Sequence, residues 1–224
     1  MQIQAPLATI TPTLDGRVLP VLAGADHGFT SGQIADLLGN VSRYGVRLVL
    51  QRLLSQGVVT ADRVGNAYSY RLNRNHLAAE AIVALAEIPQ RLIDRLTELS
   101  GSWNQPPVFA AVFGSAARYQ MSPASDIDIF VVYRDGVDVE AFEYDVMEMT
   151  AQARSWTGNE VNAFLMSESE VKMGAIPTDS NIKEPVLLDI LKDGVVFAGR
   201  QNWLQSQIRK ARKNNESKNN TSTR

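Results

Sequence analysis

Two short motifs in VFGSAARYQMSPASDIDIFVVY, residues 112–133, carry residue types able to do chemistry. Gly114 and Ser115 follow an apolar run and open a stretch of helical character, so backbone N–H groups and the serine hydroxyl can face an anion there. Eleven residues after Ser115, Asp126 and Asp128 stand one residue apart at the start of a second apolar run. On a strand this spacing puts both carboxylates on one face, about 6–7 Å apart. Hard oxygen ligands so arranged suit one or two Mg²⁺ ions. Ions held there can activate an attacking oxygen and neutralise a leaving phosphate. Arg118 is placed to pair with a triphosphate, and Ser122 and Ser125 to hold phosphate or cap the turn before the aspartates.

The elements that must position these residues follow from apolar periodicity. VFAAVF (108–113), bounded by Pro107 and Gly114, and IDIFVVY (127–133) are expected as buried strands. A helix over 138–155, a strand over 159–166 (NEVNAFLM), a helix over 182–193 and a strand over 195–199 complete an α/β (α+β) pattern. Glu168 and Glu170 look like the start of a helix. A basic helix over 202–213 then runs into a polar tail expected to lack structure.

The first part of the chain reads differently. A short helix over 11–23 is shaped by Gly16 and Pro20. SGQIADLLG is a helix capped by Thr30 or Ser31, with Ile34, Leu37 and Leu38 inward and Gly39 as its stop. SRYGVRLVLQRLLSQG is another, capped by Ser42, with Val46, Val49, Leu50, Leu53 and Leu54 inward and Gly57 as its stop. The hairpin VVTADRVGNAYSYRL follows, turning at Gly65-Asn66. Two helices, a tight turn and a hairpin spell a winged helix-turn-helix. Residues 76–99 continue as helix with a bend at Pro89, and GSWNQPP (101–107) is loop chemistry. The expected division is therefore 1–75 for the winged domain, 76–105 for a connecting helix and linker, 106–200 for the α/β domain and 201–224 for the basic helix and tail.

Composition narrows the classes. With 224 residues, 45% hydrophobic and 21% charged, the chain is neither disordered nor collagen-like. No apolar run approaches the ~18 residues of a membrane span, and the N-terminus lacks the pattern of a signal peptide. With no cysteine there is no disulfide framework, which fits a cytoplasmic location. Charge is unevenly placed: residues 1–75 carry seven Arg against four acids, residues 76–199 eight basic against nineteen acidic side chains, and residues 200–224 seven basic against one acid. Two basic ends flanking an acidic middle suit nucleic acid at one end and metal-dependent chemistry in the middle. His27 and His76 have no second ligand at metal-binding spacing, and Trp103, Trp156 and Trp203 read as packing residues.

The motif of an apolar strand, Gly-Ser, about ten residues, then Asp-x-Asp in a second apolar strand resembles the DNA polymerase beta-like nucleotidyltransferase superfamily. The texture of GSAARYQMSPASDIDIF looks most like its minimal bacterial members, over about residues 106–199. The resemblance implies a mixed sheet with flanking helices. It implies catalytic Asp126 and Asp128 holding Mg²⁺, and a nucleoside triphosphate, ATP first among them, resting on Gly114, Ser115, Arg118 and Ser125. An acceptor (protein, RNA or small molecule) then takes the nucleotidyl group. In that family a third carboxylate comes from a later strand, here NEVNAF, where Asn162 stands at the expected position and Glu160 two residues earlier. Three alternatives stay open: Glu160 is the third catalytic acid, Asn162 is a weaker oxygen ligand, or the domain binds nucleotide without turnover.

The N-terminal part resembles winged-helix DNA-binding domains of bacterial transcription regulators. That resemblance implies DNA as partner, with Arg43, Tyr44, Arg47 and Gln51 on the second helix reaching a groove and Arg63, Asn66 and Arg71 on the wing reaching backbone. The rival is a DNA-binding regulator whose second domain senses nucleotide or makes a homodimer. A third reading is an antitoxin-like partner that modifies or masks a second protein.

Overall fold

The computed structural model describes residues 1–178 and 181–222. The chain divides into two compact units, Gln2–Gln90 and Arg91–Arg224 together with Met1.

In the first unit a 3₁₀ turn at Pro6–Thr9 precedes α1 (Asp15–Ala23), α2 (Ser31–Leu38), α3 (Arg43–Ser55), strands β1 (Val59–Val64) and β2 (Ala67–Leu72), and α4 (Ala79–Ala86). Thr30 caps α2 in a reciprocal box with Gln33, and the Ser42 hydroxyl accepts the Gly45 N–H at the head of α3. The strands pair antiparallel from Val59↔Leu72 to Val64↔Ala67, joined by Gly65 at φ +60° and Asn66. Val18, Leu22, Ile34, Val46 and Leu50 form the fully buried centre.

Two residues expected inside point outward: Leu37 is 64% exposed and Leu54 41%. The buried face of α2 is centred between Ile34 and Ala35. At about 100° per residue Leu38 falls under that face and Leu37 roughly 110° away. Leu54 lies at the edge of the α3 stripe set by Val46, Leu50 and Leu53. The helix expected over 76–99 is two helices, α4 and then α5 (Ile88–Gly101), with Pro89 in the first turn of α5, where its missing N–H would have had no helical partner.

The second unit continues with β3 (Phe109–Phe113), α6 (Gly114–Ala117), β4 (Ile127–Tyr133), α7 (Val139–Thr157), β5 (Val161–Ser167), α8 (Glu168–Gly174), α9 (Val186–Asp193), β6 (Val195–Gly199) and α10 (Trp203–Ser222). The sheet order is β5-β4-β3-β6; β3 runs antiparallel to β4 and β6, and β4 parallel to β5, which makes the sheet mixed. Phe109, Ala111, Phe130, Val132 and Met166 share one face and pack with Val171, Leu187, Ile190 and Leu204. On the other face Tyr133 meets Phe142 of α7, which also meets Trp103 edge-on. Helix α10 runs beyond the expected 213 as far as Ser222; the stretch holds no Gly or Pro to end it. Residues 223–224 of the expected tail lie outside the described residues. Among the described residues no helix is long and apolar enough to cross a membrane.

Candidate active site

The Gly-Ser motif sits where β3 ends. Phe113 pairs with Asp128 across the antiparallel ladder, and the chain turns at Gly114 with φ +71°. A Cβ on residue 114 would lie 2.5 Å from Asp128 Oδ2, so only glycine lets backbone and carboxylate approach this closely. Helix α6 has four residues, too few to sum a macrodipole. What the turn offers an anion is therefore its backbone N–H groups and the half-buried Ser115.

Asp126 is exposed and directly precedes β4; Asp128 is half-buried within it. The parallel ladder pairs Asp128 with Asn162, and the Ile127 N–H donates to the Glu160 carbonyl at 2.9 Å. Alternation therefore brings Asp126, Asp128, Glu160 and Asn162 to one face of the sheet. Within this group Asn162 Nδ2 donates to Asp126 Oδ2 at 3.2 Å. The Glu160 carboxylate instead lies 2.7 Å from Arg154, with both side chains more than half exposed.

Among the described residues no group of three or more His, Cys, Asp or Glu side chains could hold a metal ion. Two carboxylates nonetheless fit one Mg²⁺, which is ordinarily held by one or two carboxylates with substrate phosphates and water supplying the rest.

The remaining expected nucleotide-binding residues lie around this core. Arg118, at the end of α6, has Asp193 of α9 3.8 Å away. The Ser125 hydroxyl accepts from the Ser122 N–H at 2.9 Å and lies 3.0 Å from the Ser122 hydroxyl, knitting the loop before Asp126. Tyr119, just past Arg118, is 62% exposed at φ +56°, a conformation rare for a bulky residue. A cleft of about 380 Å³ between α8 and α10, lined by Lys172, Met173, Gln207 and Lys210 among others, includes none of these residues. At the opposite end of β4, Asp135 accepts from Ser169 Oγ at 2.7 Å and its N–H at 3.1 Å. Those bonds hold its carboxyl below the usual range, and burial pushes the neighbouring Tyr133 hydroxyl up.

In the first unit Arg43, Tyr44, Arg47 and Gln51 are all exposed and fall within an arc of about 100° on α3. Arg43 pairs with Asp36 at 3.2 Å, and the Arg47 guanidinium lies 5.3 Å from the centre of the Tyr44 ring. On the hairpin Arg71 pairs with Asp62, and Arg63 Nε donates to the Gly65 carbonyl at 3.3 Å.

Residues 101–173 match the family described as Polymerase beta, Nucleotidyltransferase, a segment holding Gly114, Asp126, Asp128 and Asn162. The second unit thus contains a nucleotidyltransferase domain. Among solved structures the chain is similar to a toxin-antitoxin crystallised with AMP-PNP, at 17% identity and TM-score 0.37, over 57% of this chain and 87% of that one. It is also similar to a tri-AMPylated Shewanella oneidensis HEPN toxin in complex with MNT antitoxin, at 16% identity and TM-score 0.34, over 58% and 87%. Among curated proteins none matches significantly.

Proposed function

We propose that the chain is a Mg²⁺-dependent nucleotidyltransferase that moves a nucleoside monophosphate from a triphosphate, ATP in the first instance, to an acceptor hydroxyl. The observation that carries this reading is the Asp126–Asp128 face set directly against the Gly114 turn, inside the segment that matches the family. Asp126 and Asp128 would hold Mg²⁺, with Asn162 as a neutral neighbour. The ion supplies charge neutralisation at the phosphates. Gly114 lets backbone N–H groups reach phosphate oxygens beside the acids, and Ser115 adds a hydroxyl donor. The acceptor hydroxyl gives up its proton to solvent as its oxygen bonds to the α-phosphorus, the α–β bridge breaks and pyrophosphate departs. The chain's contribution is positioning and charge stabilisation. The acceptor, whether protein, RNA or small molecule, binds from the open side of this face.

The first unit is proposed as a winged helix that places Arg43, Tyr44, Arg47 and Gln51 in a DNA groove. Calorimetry of Mg·ATP binding to the wild type and to Asp126→Asn/Asp128→Asn tests the acid pair. Equal affinity in both would remove the assignment.

One observation favours a second reading. Asn162 occupies the place of a third acid while Glu160 is engaged by Arg154, an arrangement suited to holding a nucleotide without transferring it. The chain would then be a DNA-binding regulator. ATP-dependent change in sequence-specific DNA binding, with no pyrophosphate released, would select that reading.

A further inference from the structure

Asn159, which the motifs do not include, is 4% exposed in the turn between α7 and β5. A buried side-chain amide is costly unless its hydrogen bonds are made. Asn159 Nδ2 donates to the backbone carbonyl of Ser125 at 2.8 Å, across 34 residues of sequence, and its Oδ1 accepts from the Met1 ammonium at 2.5 Å.

The turn itself does not need this side chain. It is closed by Gly158, left-handed at φ +70° with its N–H on the Arg154 carbonyl at 2.7 Å, and by the Thr157 hydroxyl, which accepts the Asn159 backbone N–H at 3.3 Å. What the amide adds lies on the other strand. Ser122 and Ser125 are already tied together as a tight loop. Asn159 anchors that loop's last carbonyl, and the next residue in the chain is Asp126. On the far side of Asp126, the Ile127 N–H is held by the carbonyl of Glu160. Consecutive residues of one turn therefore grip the peptide groups on both sides of the first aspartate.

We propose that Asn159 is a positioning residue: by fixing the Ser125 carbonyl it sets where the Asp126 carboxylate stands, and so how tightly the acid pair holds a divalent cation. The inference rests on the nucleotidyltransferase reading of that pair. Residues that orient metal ligands without touching the metal typically change affinity or activity about 10- to 100-fold when replaced.

The test uses the full chain without nucleotide and Mn²⁺ as a spectroscopic probe, its affinity read by electron paramagnetic resonance, beside a thermal melt. Asn159→Leu removes the donor at nearly constant size and without adding charge, and Asn159→Ala does so with a smaller side chain should the first not fold. Thr157→Val breaks a hydrogen bond of the same buried turn without touching Ser125. Expected is a loss of about 10- to 100-fold in Mn²⁺ affinity for the Asn159 variants, with wild-type affinity in Thr157→Val even where the melts fall equally. Wild-type affinity in the Asn159 variants, or a parallel loss in Thr157→Val, overturns the positioning role. So does failure of both Asn159 variants to fold while Thr157→Val folds, because the side chain would then be holding the fold itself. If the wild type and Asp126→Asn/Asp128→Asn bind Mn²⁺ alike, the acid pair is no cation site, and the functional reading falls together with this inference.

Discussion

Alanine at position 114 would carry its Cβ 2.5 Å from Asp128 Oδ2, on a backbone held at φ +71°. Two costs follow. The left-handed backbone penalises any L side chain by about 1–2 kcal/mol, which lowers the melting temperature of a unit this size by roughly 2–8 °C. The clash is worse placed. To move from 2.5 Å to the 3.4 Å of ordinary contact the carboxylate must retreat by about 0.9 Å, and displacements near 1 Å at a reacting centre cost on the order of 100-fold in rate. Gly114→Ala should therefore fold with a modestly lower midpoint, while transfer from α-labelled ATP into acceptors in a cell lysate falls about 100-fold. The double variant Gly114→Ala/Asp128→Ala removes the obstructing carboxylate and should recover part of the thermal loss without recovering transfer. If Gly114→Ala melts and transfers like the wild type, the close approach of turn and acid has no part in the chemistry.

The other predictions concern separate parts of the chain. Glu160→Gln should leave transfer within about twofold and stability within about 1 kcal/mol, because its carboxylate is committed to an exposed pair with Arg154; a collapse of turnover with nucleotide binding intact would instead make Glu160 the third acid. Asn162→Asp adds a negative charge beside Asp126 and should raise Mn²⁺ affinity in a direct titration, whereas unchanged affinity would place residue 162 outside the ion's reach. Asp135 is held at a lowered pKa by Ser169, so its bonds stabilise the fold fully above the unfolded carboxyl's pKa and cease to do so as pH falls through the folded value. Ser169→Ala should thus destabilise at pH 7 by more than at pH 2, and a pH-independent difference in denaturant melts would refute this. Arg43→Ala/Arg47→Ala should weaken salt-sensitive duplex binding by roughly 1–3 kcal/mol if either arginine reads a guanine edge, and a wild-type chain with no duplex affinity at low salt would end the DNA assignment.

How far the sequence carries depends on whether a feature is local. Strand alternation alone puts Asp126 and Asp128 on one face, and the apolar runs between Pro107, Gly114 and Tyr133 mark β3 and β4 closely. Capping residues Thr30 and Ser42 are legible for the same reason, since each bonds a backbone group three residues on. The parallel pairing of β4 with β5, which sets Asn162 beside Asp126, is a long-range choice that no local pattern states. The same holds for Asn159, whose partner is 34 residues away, and for Arg118, which pairs with an acid on α9. Leu37 and Leu54 fail for a subtler reason. Leu54 stands at the edge of its apolar stripe and Leu37 beyond the edge of its own, and helical spacing alone does not decide which side the core takes.

The most direct test of the central claim is label transfer. The full-length protein, with Mg²⁺ and each α-labelled nucleoside triphosphate in turn, is incubated in cell lysate beside the Asp126→Asn/Asp128→Asn variant. The account predicts label on an acceptor and stoichiometric pyrophosphate for at least one triphosphate, both absent with the variant. Label no greater than the variant's with every triphosphate would contradict it.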